Sequence, residues 1–164
     1  MRYHNITKDD MLNGTGLRVV LWVSGCTHGC PGCQNPITWD INEGLIFDVS
    51  AKEELFAELE KDYIEGITLS GGDPLHPANR SEIGALVEEI HAAYPSKNIW
   101  IYTGFNWEDI HTLSFMPFVD VIVDGRFQIE LLDSQLHWRG SSNQHIIDVK
   151  ESLSHNQLRL LQST

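Results

Sequence analysis

The sequence predicts an α/β fold built on a parallel sheet of βα units, and three observations carry that expectation. Short apolar runs alternate with segments of helical periodicity, the runs end in glycine-rich or acidic turns, and no internal repeat, low-complexity tract or linker interrupts them. With 164 residues, 41% of them hydrophobic, the chain can bury one sizeable core. A single domain over residues 1–164 is therefore expected.

The run from Leu17 to Gly25, LRVVLWVSG, reads as a buried strand that empties into a cysteine loop. Ser50 then offers an N-cap with Glu53 three residues on, and Leu55, Phe56 and Leu59 share one face of the helix it would start. A second strand, Ile67 to Ser70, ends in a glycine pair and an Asp-Pro break. Ile83, Leu86, Val87, Ile90 and Tyr94 recur at helical spacing until Pro95 stops them. NIWIYTG gives a third strand, Asn106 to Leu113 a short helix, and VDVIVDG a fourth strand. Beyond Gly125 the pattern weakens, and HIIDV, His145 to Val149, is the candidate fifth strand. Strand and helix in alternation imply right-handed crossovers, with function at the carboxyl ends of the strands. Those ends carry the cysteine loop, Gly71-Gly72-Asp73, Thr103-Gly104 and Asp124-Gly125-Arg126. Periodicity leaves open whether the sheet is flat or curled into part of a barrel.

A formal charge of -12 opposes the phosphate attraction on which nucleic-acid binding depends, so nucleic acid is not an expected partner. No apolar run approaches the length of a membrane span, and charges interrupt the N-terminal stretch where a signal peptide needs an apolar segment. A cytoplasmic protein without a membrane partner is expected. The sequons at Asn5 and Asn13 carry no weight in that setting.

All three cysteines lie in GCTHGCPGC, as Cys26, Cys30 and Cys33 in the spacing C-x3-C-x2-C. An odd count in one tight cluster is a poor disulfide framework, which leaves metal binding or catalysis. A structural zinc site would need a fourth ligand, with His28 nearest and His76 or His111 further along the chain. CPGC alone also suits a redox dithiol, although that leaves Cys26 and GGDP unexplained. An iron-sulfur cube with three thiolates would keep one iron open for a substrate, and Gly25, Gly29 and Gly32 give the loop freedom to wrap it.

The cysteine spacing followed by a glycine-rich turn after the second strand resembles the radical S-adenosylmethionine (SAM) superfamily. NGTGLRVVLWVSGC, CPGCQNPITW, LSGGDPL, YTGF, VDGRF and RGSSNQ, in order from about Asn13 to about Val149, resemble more closely the small activating proteins of anaerobic ribonucleoside-triphosphate reductases. The resemblance implies a single radical SAM domain folded as a short partial (β/α) barrel. It implies that Cys26, Cys30 and Cys33 ligate a 4Fe-4S cluster and that Gly71, Gly72 and Asp73 hold the methionine amino group of SAM. Arg126 would face the SAM carboxylate. Thr103 and Asp124 would line the same pocket, unless they are strand-end hydrogen-bonding residues. Arg139 and Asn143 match the family pattern without an assignable role. Gly32 and Gln34 replace the aromatic residues that many superfamily members place beside the third cysteine, which leaves Phe105 or Trp39 to cover the adenine, and His145 stands where arginine is expected. The implied reaction is reductive cleavage of SAM, followed by hydrogen abstraction from a glycine of the partner reductase to leave a stored glycyl radical. An external one-electron donor such as a flavodoxin is implied, and no side chain of this chain breaks a bond; its part is orientation and exclusion of water.

Overall fold

The computed structural model describes residues 1–162. Seven strands form one sheet: β1 (Arg2–Asp10), β2 (Leu17–Val23), β3 (Leu45–Ile46), β4 (Ile64–Gly71), β5 (Asn98–Tyr102), β6 (Val121–Asp124) and β7 (His145–Asp148). Their spatial order is β3-β1-β2-β4-β5-β6-β7. The four helices are α1 (Val49–Leu59), α2 (Arg80–Ala93), α3 (Trp107–Ile110) and α4 (Val149–His155). Strands β2, β4, β5 and β6 pair in parallel, as the alternation requires. The edges differ from the expectation: β1 runs antiparallel to β2 and β3, and β7 runs antiparallel to β6, so the sheet is mixed. The reason is local. A loop joins β1 to β2, and the connection from β6 to β7 carries only one 3-10 turn, Ile129–Leu131, whereas parallel neighbours need a crossover that is usually an α-helix.

Strand β1 has no clean alternation. Only Tyr3 and Ile6 are buried along RYHNITKDD, and two irregularities break its register with β2. Helix α1 starts one residue ahead of Ser50: the Asp48 carboxylate accepts from Ala51 N at 2.9 Å and caps it.

All four helices lie on one face of the sheet. Val19, Leu21, Val23, Ile67, Leu69, Ile99, Ile101 and Ile122 point into that layer and meet Leu55, Leu59, Ile83, Val87, Ile90, Ile110 and Val149. The alternate residues form the opposite, inner face, where helices are replaced by loops and by an aromatic cluster of Trp100, Val121 and Val123 with Tyr102, Trp138 and Ile146 against it. Arg18 is fully buried on this inner face. Its Nε donates to Thr68 Oγ1 at 2.9 Å, its Nη1 to Thr15 O at 3.0 Å and its Nη2 to Ile67 O at 2.8 Å, with the guanidinium 5.3 Å from the Trp100 ring centre. Burial lowers its pKa to about 10, so the side chain stays charged at neutral pH and needs those acceptors. The Thr68 hydroxyl in turn donates to Asn13 O at 2.7 Å, and together these bonds hold the loop between β1 and β2 over the inner face.

Candidate functional site

The carboxyl ends of the parallel strands open into a cavity of about 670 Å³ that the three cysteines line together with Gly71, Gly72, Asp73 and Thr103. Topology accounts for its position: β2, β4, β5 and β6 point the same way, so the loops leaving them converge.

The cysteine loop is fixed at its base. Gly25 N donates to Thr38 O at 2.7 Å and Cys26 N to Trp39 O at 3.0 Å, which closes the loop as it returns. From the other side Gly72 N donates to Val23 O at 2.9 Å and Asp73 N to Gly25 O at 2.7 Å. The glycine pair is required for that grip. At Gly71, with φ of 116°, a Cβ would run into the backbone of Val23, and at Gly72 it would meet Gly25 O at 2.6 Å. Cys26, Cys30 and Cys33 are all free thiols of intermediate exposure. Burial, the foremost cause, pushes the Cys26 thiol above its ordinary range, so a bound metal would have to displace a proton there.

Asp73 is the hub of the strand ends. It is 1% exposed, and its Oδ2 accepts from Thr103 Oγ1 and from Gly104 N, both at 3.0 Å, and lies 2.6 Å from His28 Nε2. Its Oδ1 accepts from Leu75 N at 2.8 Å. Because Arg126 Nε donates to His28 Nδ1 at 3.2 Å, Nε2 carries the hydrogen that His28 gives to Asp73. One imidazole thus ties the cysteine loop to the ends of β4, β5 and β6. Gly104 permits this, since a Cβ at that position would lie 2.6 Å from His28 Nε2. Phe105 packs edge-on against the same ring at 4.7 Å.

The remaining expected residues divide. Thr103 lines the cavity and bonds to Asp73. Asp124 is 2% exposed and is not among the lining residues. Its Oδ2 accepts from Trp107 N at 2.9 Å, while its Oδ1 accepts from His145 N at 3.0 Å and lies 2.9 Å from His145 Nδ1, which makes it a fastener between β6, β7 and α3. Arg126 is exposed and reaches the cysteine loop through His28 rather than lining the cavity. Trp39 lines the cavity, whereas Phe105 does not. Arg139 and Asn143 acquire structural roles: Arg139 Nη1 donates to Gln144 O, and Asn143 Nδ2 donates to Arg126 O at 2.8 Å. Gln144 completes the knot, donating to Gly125 O at 3.0 Å and accepting from Gly140 N at 3.0 Å.

Sequence reasoning missed His28 as anything more than a spare ligand, and missed the aromatic inner face. The spacing between His28 and Asp73 holds no signal of their contact, which only the parallel pairing of β2 with β4 creates. Among the described residues, no group of three or more His, Cys, Asp or Glu is gathered closely enough to hold a single metal ion. The zinc reading also loses its nearest fourth ligand, because both ring nitrogens of His28 are engaged.

A family model described as "4Fe-4S single cluster domain" matches residues 12–147. The chain is 47% identical over 146 residues to the anaerobic ribonucleoside-triphosphate reductase-activating protein of Enterobacteria phage T4, covering 89% of this chain and 93% of that one. It is 46% identical over 148 residues to the protein of that name from Salmonella typhimurium strain LT2, and 43% identical over 148 residues to that from Escherichia coli strain K12, in each case covering 88% of this chain and 96% of the other. Such matches run through the cysteine loop, all four parallel strands and the turns that end them, and on them this chain belongs to the family of anaerobic ribonucleoside-triphosphate reductase-activating proteins.

Proposed function

We propose that this protein is a radical SAM activating enzyme that generates a glycyl radical on an anaerobic ribonucleoside-triphosphate reductase. The observation that carries the reading is the set of three free thiols opening into one cavity at the converging strand ends, in a chain of this family. The residues fit a cluster: the donors are all thiols, which an iron-sulfur cube takes, and a cube bound by three of them keeps a site for a further ligand. Cys26, Cys30 and Cys33 would hold it. Held there and reduced, a 4Fe-4S cluster would supply the electron for reductive cleavage of SAM, the chemistry by which a hydrogen atom would be taken from the reductase glycine.

This chain's own residues bind, orient and exclude water. Gly71, Gly72 and Asp73 form the wall for the methionine amino group; among the described residues Asp73 Oδ1 has one partner, Leu75 N, and so keeps acceptor capacity for an amine. Thr103 holds the other carboxylate oxygen in place. Arg126, kept beside the loop by His28, is the cation this reading assigns to the SAM carboxylate. Asp124 acts here by fixing β6 against β7 rather than by meeting a ligand. Trp39, which lines the cavity, is the aromatic cover for the adenine.

The same reading takes residues 1–164 as one domain and the four parallel strands, with every helix on one face, as a short partial barrel. An external one-electron donor of the flavodoxin kind and a cytoplasmic setting belong to it; free thiols suit a reducing compartment, and no helix among the described residues is long and apolar enough to cross a membrane. The test is anaerobic reconstitution with iron and sulfide, then dithionite and SAM, with assay for 5′-deoxyadenosine and methionine. Cys30→Ala should abolish both the brown chromophore and the products. A colourless protein that copurifies with zinc would overturn the reading.

A further inference from the structure

The cavity does not end at the cysteines. It continues along the inner face of the sheet, where Trp22, Tyr102, Leu132, Leu136 and Trp138 line it. Trp138 packs edge-on against Trp100 at 5.3 Å, and Trp100 precedes Tyr102 by two residues on the same face of β5. The aromatic wall therefore lies deeper along the strand than the loops that carry the thiols.

Two features of this wall bear on what it could bind. The Tyr102 hydroxyl is buried and, among the described residues, has no hydrogen-bond partner. A buried hydroxyl left unpaired is costly, and a ligand that supplied its partner would recover that cost. Burial also pushes the phenol above its ordinary range, so Tyr102 is neutral and able to donate. Trp138, for its part, has φ of 61°, an unfavourable conformation for a bulky residue, and the hydrogen bonds of Arg139, Gly140 and Gln144 hold it there.

The chemistry of the wall suits a neutral backbone. Beside the wall the charged liners Arg139, which donates to Gln144 O, and Asp133, whose Oδ1 accepts from Gln135 N, are of opposite sign, so together they carry no net charge to call for a charged ligand. At the cavity's edge Leu12 is 80% exposed and Leu132 53% exposed, apolar surface that a protein partner would cover.

We propose that Tyr102 and Trp138 form the subsite for the glycine-bearing segment of the reductase, the Tyr102 hydroxyl donating to a backbone carbonyl of that segment and the Trp138 indole packing on its chain. The proposal rests on the functional reading above. A glycine offers no side chain to be read, so a backbone hydrogen bond and an aromatic wall are the recognition available.

The test uses the reconstituted protein and the whole reductase under argon. Reductase affinity is measured by calorimetry, and glycyl radical yield by electron paramagnetic resonance against reductase concentration and, separately, against SAM concentration. Removing one neutral hydrogen bond should weaken binding about fivefold, so Tyr102→Phe should raise the reductase dissociation constant and half-saturation by that factor, with a smaller change in the SAM half-saturation. Because the hydroxyl has no partner among the described residues, the apoprotein of that variant should melt no lower than wild type, which a merely structural role would not allow. Trp138→Ala should weaken reductase binding further, and Tyr63→Phe, at an exposed tyrosine outside the cavity, should change nothing. Unchanged reductase affinity in both Tyr102→Phe and Trp138→Ala would overturn the proposal, as would a shift confined to SAM. If the wild type cleaved no SAM, the functional reading itself would fail, and this inference with it.

Discussion

The two faces of the sheet are built by different physics. The outer face is a continuous apolar layer in which strand residues such as Leu69 and Ile101, fully buried, meet the helices. The inner face holds a buried, charged Arg18, a tyrosine hydroxyl with no hydrogen-bond partner among the described residues, and a buried Trp100 packed by a half-buried Trp138, and the strand ends beside it are held by Asp73 and Asp124. The outer layer is nondirectional and tolerates exchange among apolar residues of like size. The inner side depends on directed hydrogen bonds, each of which fixes a particular atom near the cavity. Stability resides mainly in the first and chemistry in the second.

The largest break in that contrast should come from the outer face. Leu69→Ala, by removing a fully buried side chain between sheet and helices, should lower the unfolding free energy of the apoprotein by about 2–5 kcal/mol in urea titration, with any surviving folded protein still assembling a cluster. Asp124→Ala should cost about 2–3 kcal/mol by the same titration, because Trp107 N and His145 N lose their acceptor in a buried place. It should leave SAM affinity nearly unchanged if Asp124 is a fastener; a loss of SAM affinity far exceeding the loss of stability would move it into the ligand site. Thr103→Val should cost only about 1 kcal/mol, yet raise the SAM half-saturation more than Leu69→Ala does, since it frees one oxygen of Asp73 within the cavity. At the small end, Lys52→Ala breaks a solvent-exposed pair with Glu89, 2.9 Å apart, and should change stability by less than about 0.5 kcal/mol.

The same division explains what could be read from the sequence. Outer-face elements declare themselves through periodicity: the apolar positions of α2 and of β2, β4 and β5 are where the spacing puts them. The Cys26, Cys30 and Cys33 constellation is local and so was visible as a spacing. Strand β1 was not, because an edge strand with polar residues and register breaks carries little pattern. The sheet's mixed character was hidden for a similar reason, since direction depends on connections rather than composition. His28 on Asp73 and Trp138 on Trp100 join residues far apart in the chain, and no local signal announces either pair. Ser50 and Asp48 have equal claim to a cap by residue type, and only the backbone geometry picks Asp48.

On the proposed function, radical generation depends on the thiol loop at the inner strand ends and not on the apolar layer behind it. The most direct measurement is electron paramagnetic resonance of the anaerobic reductase after incubation with the reconstituted protein, dithionite and SAM, comparing wild type, Leu69→Ala and Cys30→Ala. The account predicts a glycyl radical signal with wild type, a signal in proportion to folded protein with Leu69→Ala, and none with Cys30→Ala although that variant folds. A glycyl radical formed by Cys30→Ala at the wild-type yield would contradict it.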